Sequence, residues 1–212
     1  MKHVLLALIL TGTCLAQESE GYVLPFASEG NRIELAVENT ASSASSNVII
    51  EVKNSPSWIS FLTTKESIPE LKAETELTAS FSFSVDKTAP VGKKEHLTFL
   101  VSLPNGQSWQ KEITVSVEPP DRFELFQNFP NPFNPATTIS YQLTSPSKVQ
   151  LVIYNLLGQE VYKLVSGERE AGFHQDAWNG SSFASGLYIY RITATDQSGN
   201  QVVQNRTMSL LK

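Results

Sequence analysis

Apolar and polar residues alternate along most of the chain. Ile33, Leu35 and Val37 recur at every second position, and Val48, Ile50 and Val52 do the same around Glu51. The clearest run is Leu77, Ala79, Phe81, Phe83 and Val85, with Thr78, Ser80, Ser82 and Ser84 on the other face. Leu97, Phe99, Val101 and Leu103 follow, then Trp109, Ile113, Val115 and Val117. A period of two with one apolar face describes a half-buried strand. Turn residues separate the runs at 28–31, 41–47, 89–92 and 104–106. About seven short strands in about 100 residues predict a β-sandwich.

Glu118-Pro119-Pro120-Asp121-Arg122 interrupts the pattern. A double proline stiffens the chain in an extended form and has no place in a central strand. It marks a domain boundary. Strand-like runs resume at Ile139, Tyr141 and Leu143, then at Val149, Leu151 and Ile153, at 161–165 and at 187–194. A last strand is expected within 200–211. Asn155-Leu156-Leu157-Gly158-Gln159 reads as a hairpin turn, with Gly158 suited to positive φ. Asn179-Gly180 is a second strong turn signal. No amphipathic helix is expected. The predicted fold class is all-β, with two immunoglobulin-like β-sandwich domains in tandem.

The start of the chain has a different character. Met1-Lys2-His3 is basic, 4–10 reads VLLALIL, and Thr11-Gly12-Thr13-Cys14-Leu15-Ala16 follows. This is the order of a secretory signal peptide, with cleavage expected after Ala16. The apolar run is far shorter than the roughly 20 residues needed to span a bilayer, and the mature chain is expected to be soluble. A lipoprotein reading of Cys14 is the alternative, but Thr13 is bulky for the position before the modified cysteine. Cleavage removes the single cysteine and Lys2, taking the formal charge from −5 to −6. The expected division is 1–16 signal peptide, 17–118 passenger domain, 119–125 linker and 126–212 second domain.

Composition narrows the chemistry. With 16 Lys+Arg against 21 Asp+Glu, a nucleic-acid partner is not expected. One cysteine makes no disulfide framework or multi-Cys zinc site. A hydrolytic triad needs nucleophile, base and orienting acid together, yet His96 and His174 fall in different domains. His96 reads as a solvated edge residue beside Lys94 and Glu95. The aspartates at 86, 121, 176 and 196 are too scattered for a calcium loop. The expectation is a protein that is not an enzyme and needs no metal or cofactor.

The second domain opens with Asn128-Phe129-Pro130-Asn131-Pro132-Phe133-Asn134-Pro135-Ala136-Thr137-Thr138-Ile139, followed by Val152-Ile153-Tyr154-Asn155 leading to Gly158. It continues through Ala171-Gly172-Phe173-His174, Trp178, Gly186-Leu187-Tyr188-Ile189-Tyr190 and the basic terminus at Lys212. Through these motifs residues 126–212 resemble the type A C-terminal sorting domain of the type IX secretion system. Read physically, the prolines hold Phe129, Asn131 and Asn134 extended, so that Phe126, Phe129 and Phe133 dock as an entry strap.

The resemblance implies a route found in the Bacteroidetes and neighbouring phyla. The Sec machinery delivers the chain to the periplasm, and the outer-membrane type IX translocon carries it across. A sortase-like peptidase then removes the domain, often attaching the passenger to surface lipopolysaccharide. The expected location is secreted or cell-surface, via the periplasm.

The passenger's own signal is weaker. It resembles immunoglobulin-like accessory modules of secreted bacterial proteins, through Pro56-Ser57-Trp58 and the Ala89-Pro90-Val91-Gly92 turn. Trp109 shares parity with Ile113 and Val115 and is expected in the core. Trp58 alone is free to be a ligand platform for a sugar, against the plainer reading of a sandwich-core tryptophan. The leading expectation is an adhesion-type surface passenger. The alternative is a glycan-binding accessory module of a surface hydrolase system.

Overall fold

The computed structural model describes the backbone of residues 4–9, 16–17 and 21–212, with side chains from residue 21 onward. The basic start and the Cys14 region of the expected leader lie outside the described residues. The chain divides into two compact units, Met1–Glu118 and Pro119–Lys212.

The first unit contains β1 (Val4–Ile9), β2 (Ala16–Gln17), β3 (Gly21–Leu24), β4 (Asn31–Asn39) and β5 (Ser45–Asn54). It continues with β6 (Ile59–Phe61), β7 (Lys65–Leu71), β8 (Thr75–Val85), β9 (Glu95–Ser102) and β10 (Ser108–Val117). One sheet has the order β1-β4-β8-β6, the other β2-β3-β10-β9-β5-β7. Ile33, Leu35 and Val37 of β4 and Phe81, Phe83 and Val85 of β8 form one wall of the core. Val48 and Ile50 of β5, Leu97, Phe99 and Val101 of β9 and Val115 and Val117 of β10 form the other. The Phe81 and Phe99 rings bridge the walls with centroids 5.2 Å apart. Alternation in the sequence is thus spent on one shared apolar layer, as a two-sheet sandwich requires.

Three sequence expectations change here. Leu77 is 45% exposed although it shares parity with Phe81, because β8 runs beyond the core at its first residues. β7 gives no alternating signal and contains Pro69, yet it pairs with β5 through Val48 and Ile68. It lies at the end of its sheet, where a missing N–H costs no ladder bond. His96 is an edge residue on one side only. It pairs with Thr114 of β10 but lies beyond the last β5 pair, at Thr98, and its ring is solvated as expected, 3.3 Å from a Glu112 carboxylate oxygen. Trp109 packs against the core but is only partly buried.

The second unit contains β11 (Glu124–Leu125), β12 (Ala136–Leu143), β13 (Ser147–Tyr154) and β14 (Glu160–Arg169). It ends with β15 (Gly172–Asn179), β16 (Gly186–Asp196) and β17 (Gln201–Leu210). Its sheets are β11-β12-β15 and β14-β13-β16-β17. Ile139, Tyr141 and Leu143 face Leu151, Ile153, Tyr190 and Ile192 across the core. Trp178 sits among Phe133, Phe183 and Tyr188, with centroids 5.4–5.6 Å away. The described residues are all-β, in two sandwiches joined near Pro119.

The turn between β13 and β14 follows its sequence. Asn155 Oδ1 accepts from the N–H groups of Leu157 and Gln159, each at 3.0 Å, and Gly158 has φ +76°. A Cβ at Gly158 would meet nothing within 4 Å, so the backbone angle alone selects glycine. Gly158→Ala is expected to cost about 1–2 kcal/mol, the penalty of an L-residue in the left-handed region. Urea denaturation measures this, and an unchanged midpoint would refute it.

Candidate functional site

The candidate site is built from the proline-rich strap and the end of the chain. Asn128 is its hub and is 2% exposed. Its Nδ2 donates to Pro130 O at 3.0 Å and to Thr137 Oγ1 at 2.9 Å. Its Oδ1 accepts from Gln127 Nε2 at 2.7 Å. Its backbone N–H donates to the Tyr190 hydroxyl at 2.9 Å, and that hydroxyl donates to Phe126 O at 2.9 Å. A buried amide needs partners for both of its ends, and here the strap itself supplies most of them.

The strap is also sewn to β17. Phe133 N–H donates to Ser209 O, and Leu211 N–H donates to Phe133 O, both at 2.9 Å. Ser209 N–H donates to Asn131 Oδ1 at 2.9 Å, and Gln127 Nε2 donates to Thr207 O at 2.8 Å. Lys212 Nζ donates to Ser181 O at 2.8 Å, which fixes the last side chain against the turn after β15. Gly180 faces the same joint. A Cβ there would lie 3.0 Å from Leu210 Cδ2 and 3.3 Å from Phe133 Cε2.

The expected strap residues divide into two groups. Asn128 and Phe133 are buried, whereas Phe129, Pro130, Asn131, Pro132, Asn134 and Pro135 are exposed. The peptide bonds preceding Pro130, Pro132 and Pro135 are cis. Phe129 does not dock on the sandwich as expected; it is 82% exposed. Its N–H and C=O both bond Thr138 at 2.9 Å, which points its side chain away from the core. Tyr188 is buried and donates to Ala184 O at 2.7 Å. Gly186 opens β16 with φ +152°. Gly158 lies at the β13–β14 turn, away from these bonds.

Thr137 lies within the sorting motif and Gln127 directly before it, and both complete the hub. Gln204 escapes sequence reasoning: its Oε1 accepts the Leu125 N–H at 2.8 Å, a contact that only the fold reveals. Trp58, the proposed platform, is 5% exposed within the first unit's core and offers no open ring face.

Two tyrosines give this unit an alkaline signature. Burial, then the charge of Asp176, pushes the Tyr141 hydroxyl above its ordinary range; that hydroxyl donates to Asp176 Oδ2 at 3.0 Å. Burial raises Tyr190 as well. A group whose folded value is raised contributes stability that is whole below its unfolded pKa, about 10 for tyrosine, and is lost as pH rises toward the folded value. The thermal midpoint is therefore expected to fall above about pH 10. Tyr141→Phe should remove part of that slope, leaving the Tyr190 share. Melts across an alkaline series check this, and an unchanged slope in the variant would count against it.

Residues 127–205 match the family model described as "Secretion system C-terminal sorting domain". The second unit is thus a sorting tail of the type IX secretion family. No curated protein matches the chain. Among solved structures, the chain is similar to dimeric latent PorU from Porphyromonas gingivalis, at 14% identity and a TM-score of 0.36. That match covers 97% of this chain and 20% of that one, so the chain spans a fifth of that relative's length. A protein of unknown function from Porphyromonas gingivalis W83 matches at 15% identity and TM-score 0.36, covering 98% and 97% of the two chains. The YadV chaperone matches at 10% identity and TM-score 0.33, covering 97% and 99%.

Proposed function

We propose that this chain is exported in two steps and that its second unit is the address for the second step. The leader directs it to the periplasm through the Sec machinery. The sorting tail is then engaged by the type IX translocon at the outer membrane and removed by a sortase-like peptidase. The peptidase cuts near the linker, within the stretch from Glu118 to Gln127, where most residues ahead of β11 (Glu124–Leu125) are open to it. The passenger is released or attached to surface lipopolysaccharide. The family match of residues 127–205 carries this reading. The sewing of strap to chain end supports it, because it makes one folded surface from segments about 80 positions apart.

The first unit acts in this reading as a non-enzymatic surface or adhesion-type module. Supporting that, His96 and His174 lie in separate units, and His174 is engaged by its own unit: its ring stacks on Tyr141 at 5.3 Å and lies 2.8 Å from Glu170 O through Nε2. Deleting residues 126–212 is expected to leave the passenger in the periplasm on cell fractionation. Normal surface display of the truncated chain would overturn the assignment. Retention of the full mature chain on a glycan array would instead favour the glycan-binding alternative, with a site other than Trp58.

A further inference from the structure

Removal of the leader has a structural consequence for the first unit. In the sheet order β1-β4-β8-β6, it is β1 among the described residues that makes β4 an inner strand, pairing with it from Val4↔Asn39 to Ile9↔Glu34. β1 lies wholly within the expected leader. Cleavage after Ala16 therefore turns β4 into an edge, and an open edge is a template for another strand.

The direction of that edge follows from β8. Leu62, just past β6, donates its N–H to Ser82 O at 2.9 Å, and Asp86, just past β8, donates its N–H to Trp58 O at 2.8 Å. With Ser60 opposite Ser84 between them, the even positions of β8 bond toward β6. Its odd positions bond toward β4, where Phe83, Phe81 and Ala79 oppose Asn31, Ile33 and Leu35. Neighbouring residues of a strand bond to opposite sides. Arg32, Glu34, Ala36 and Glu38 consequently aim their N–H and C=O groups at the edge that β1 occupies.

We propose that two mature copies of this chain pair antiparallel through β4, forming a two-fold dimer once the leader is gone. The proposal rests on the reading that the leader is cleaved. Even positions must oppose even positions for the hydrogen bonds to form, which leaves few registers. One centred on Ala36 sets Glu34 against Glu38, and one centred on Glu34 sets that carboxylate against its own copy. The register centred on Leu35 sets Arg32 against Glu38 twice, sets Glu34 against Ala36, and offers up to about eight hydrogen bonds between the copies. Ile33 then opposes Val37 and continues the apolar face. Arg32 is available for this exchange: its side chain is 55% exposed and lies only 3.6 Å from Glu34 of its own strand. Self-complementarity of one segment is what a two-fold interface demands.

The test uses the chain from Gln17 to Lys212 in sedimentation equilibrium. A dimer is expected. Arg32→Glu and Glu38→Arg should each weaken it about tenfold, since two symmetry-related pairs change sign together. The double reversal R32E/E38R should restore the dimer, which only this register allows. Ala36→Pro removes an outward N–H without touching the β8 ladder, and should give a monomer whose melting temperature equals that of the wild-type chain diluted until it is monomeric. A monomeric wild-type chain at high protein concentration would overturn the proposal, as would a double reversal no better than the singles. Mass spectrometry of the exported chain separates the premise from the pairing. Recovery of residues 4–9 at its N-terminus would sink the premise whatever the recombinant chain does.

Discussion

Trp178→Ala is expected to be the most destabilising single substitution in the sorting tail, at about 3–5 kcal/mol. Trp178 is 1% exposed and touches three aromatic rings from three segments: Phe133 of the strap, Phe183 of the loop after β15, and Tyr188 of β16. Truncation removes the transfer energy of a large ring and leaves a cavity that rigid aromatic neighbours cannot fill. A unit of this size has roughly 5–15 kcal/mol of total stability, so the loss is a large fraction of it. The melting temperature of the second unit should fall by about 4–8 °C for each kcal/mol lost. Calorimetry of the full chain measures it, and a loss below about 1 kcal/mol would contradict the packing described. Surface display should fall in parallel if the translocon reads the folded tail.

The second large effect is expected at Asn128. Asn128→Ala deletes three side-chain hydrogen bonds around a buried site and leaves Thr137 Oγ1 without its amide donor. Net bonds of about 0.5–1.5 kcal/mol each, with a penalty for groups stranded in the interior, predict about 2–4 kcal/mol. The signature differs from that of Trp178. The core remains filled, so the strap should loosen before the sandwich melts. Limited proteolysis should therefore cut within 126–135 well below the melting temperature of the variant. Equal resistance of wild-type and variant chains would show that Asn128 does not hold the strap. Tyr190→Phe is a control, since it removes the hydroxyl at the other side of the hub and keeps the ring.

Much of the fold is legible in the chain because strand alternation is a local signal. Phe81, Phe83 and Val85 announce a buried face within one run, and all three belong to the first core. Asn155 and Gly158 likewise specify their hairpin with no help from distant residues. The strand at Lys65–Leu71 was not legible, because an edge strand need not bury a full face and can carry Pro69. The candidate site was half legible. Its proline motif stands out in the sequence, but Thr207 and Ser209 become part of it only through bonds across the fold.

By itself, the sequence determined the all-β class, the break at Pro119, the leader pattern and the sorting motif. Each depends on residues within a few positions of one another: a period of two, a proline pair, an apolar run, a repeated Asn-Pro. Tertiary structure alone decided that Phe129 faces out while Phe133 faces in, and that Trp58 is closed to ligands. It also decided that 126–135 and 207–212 make one surface, and that among the described residues β1 is the strand on the outer side of β4. These outcomes depend on which strand a backbone group finds as its partner. Such partners lie tens of residues away, and no local pattern encodes their register.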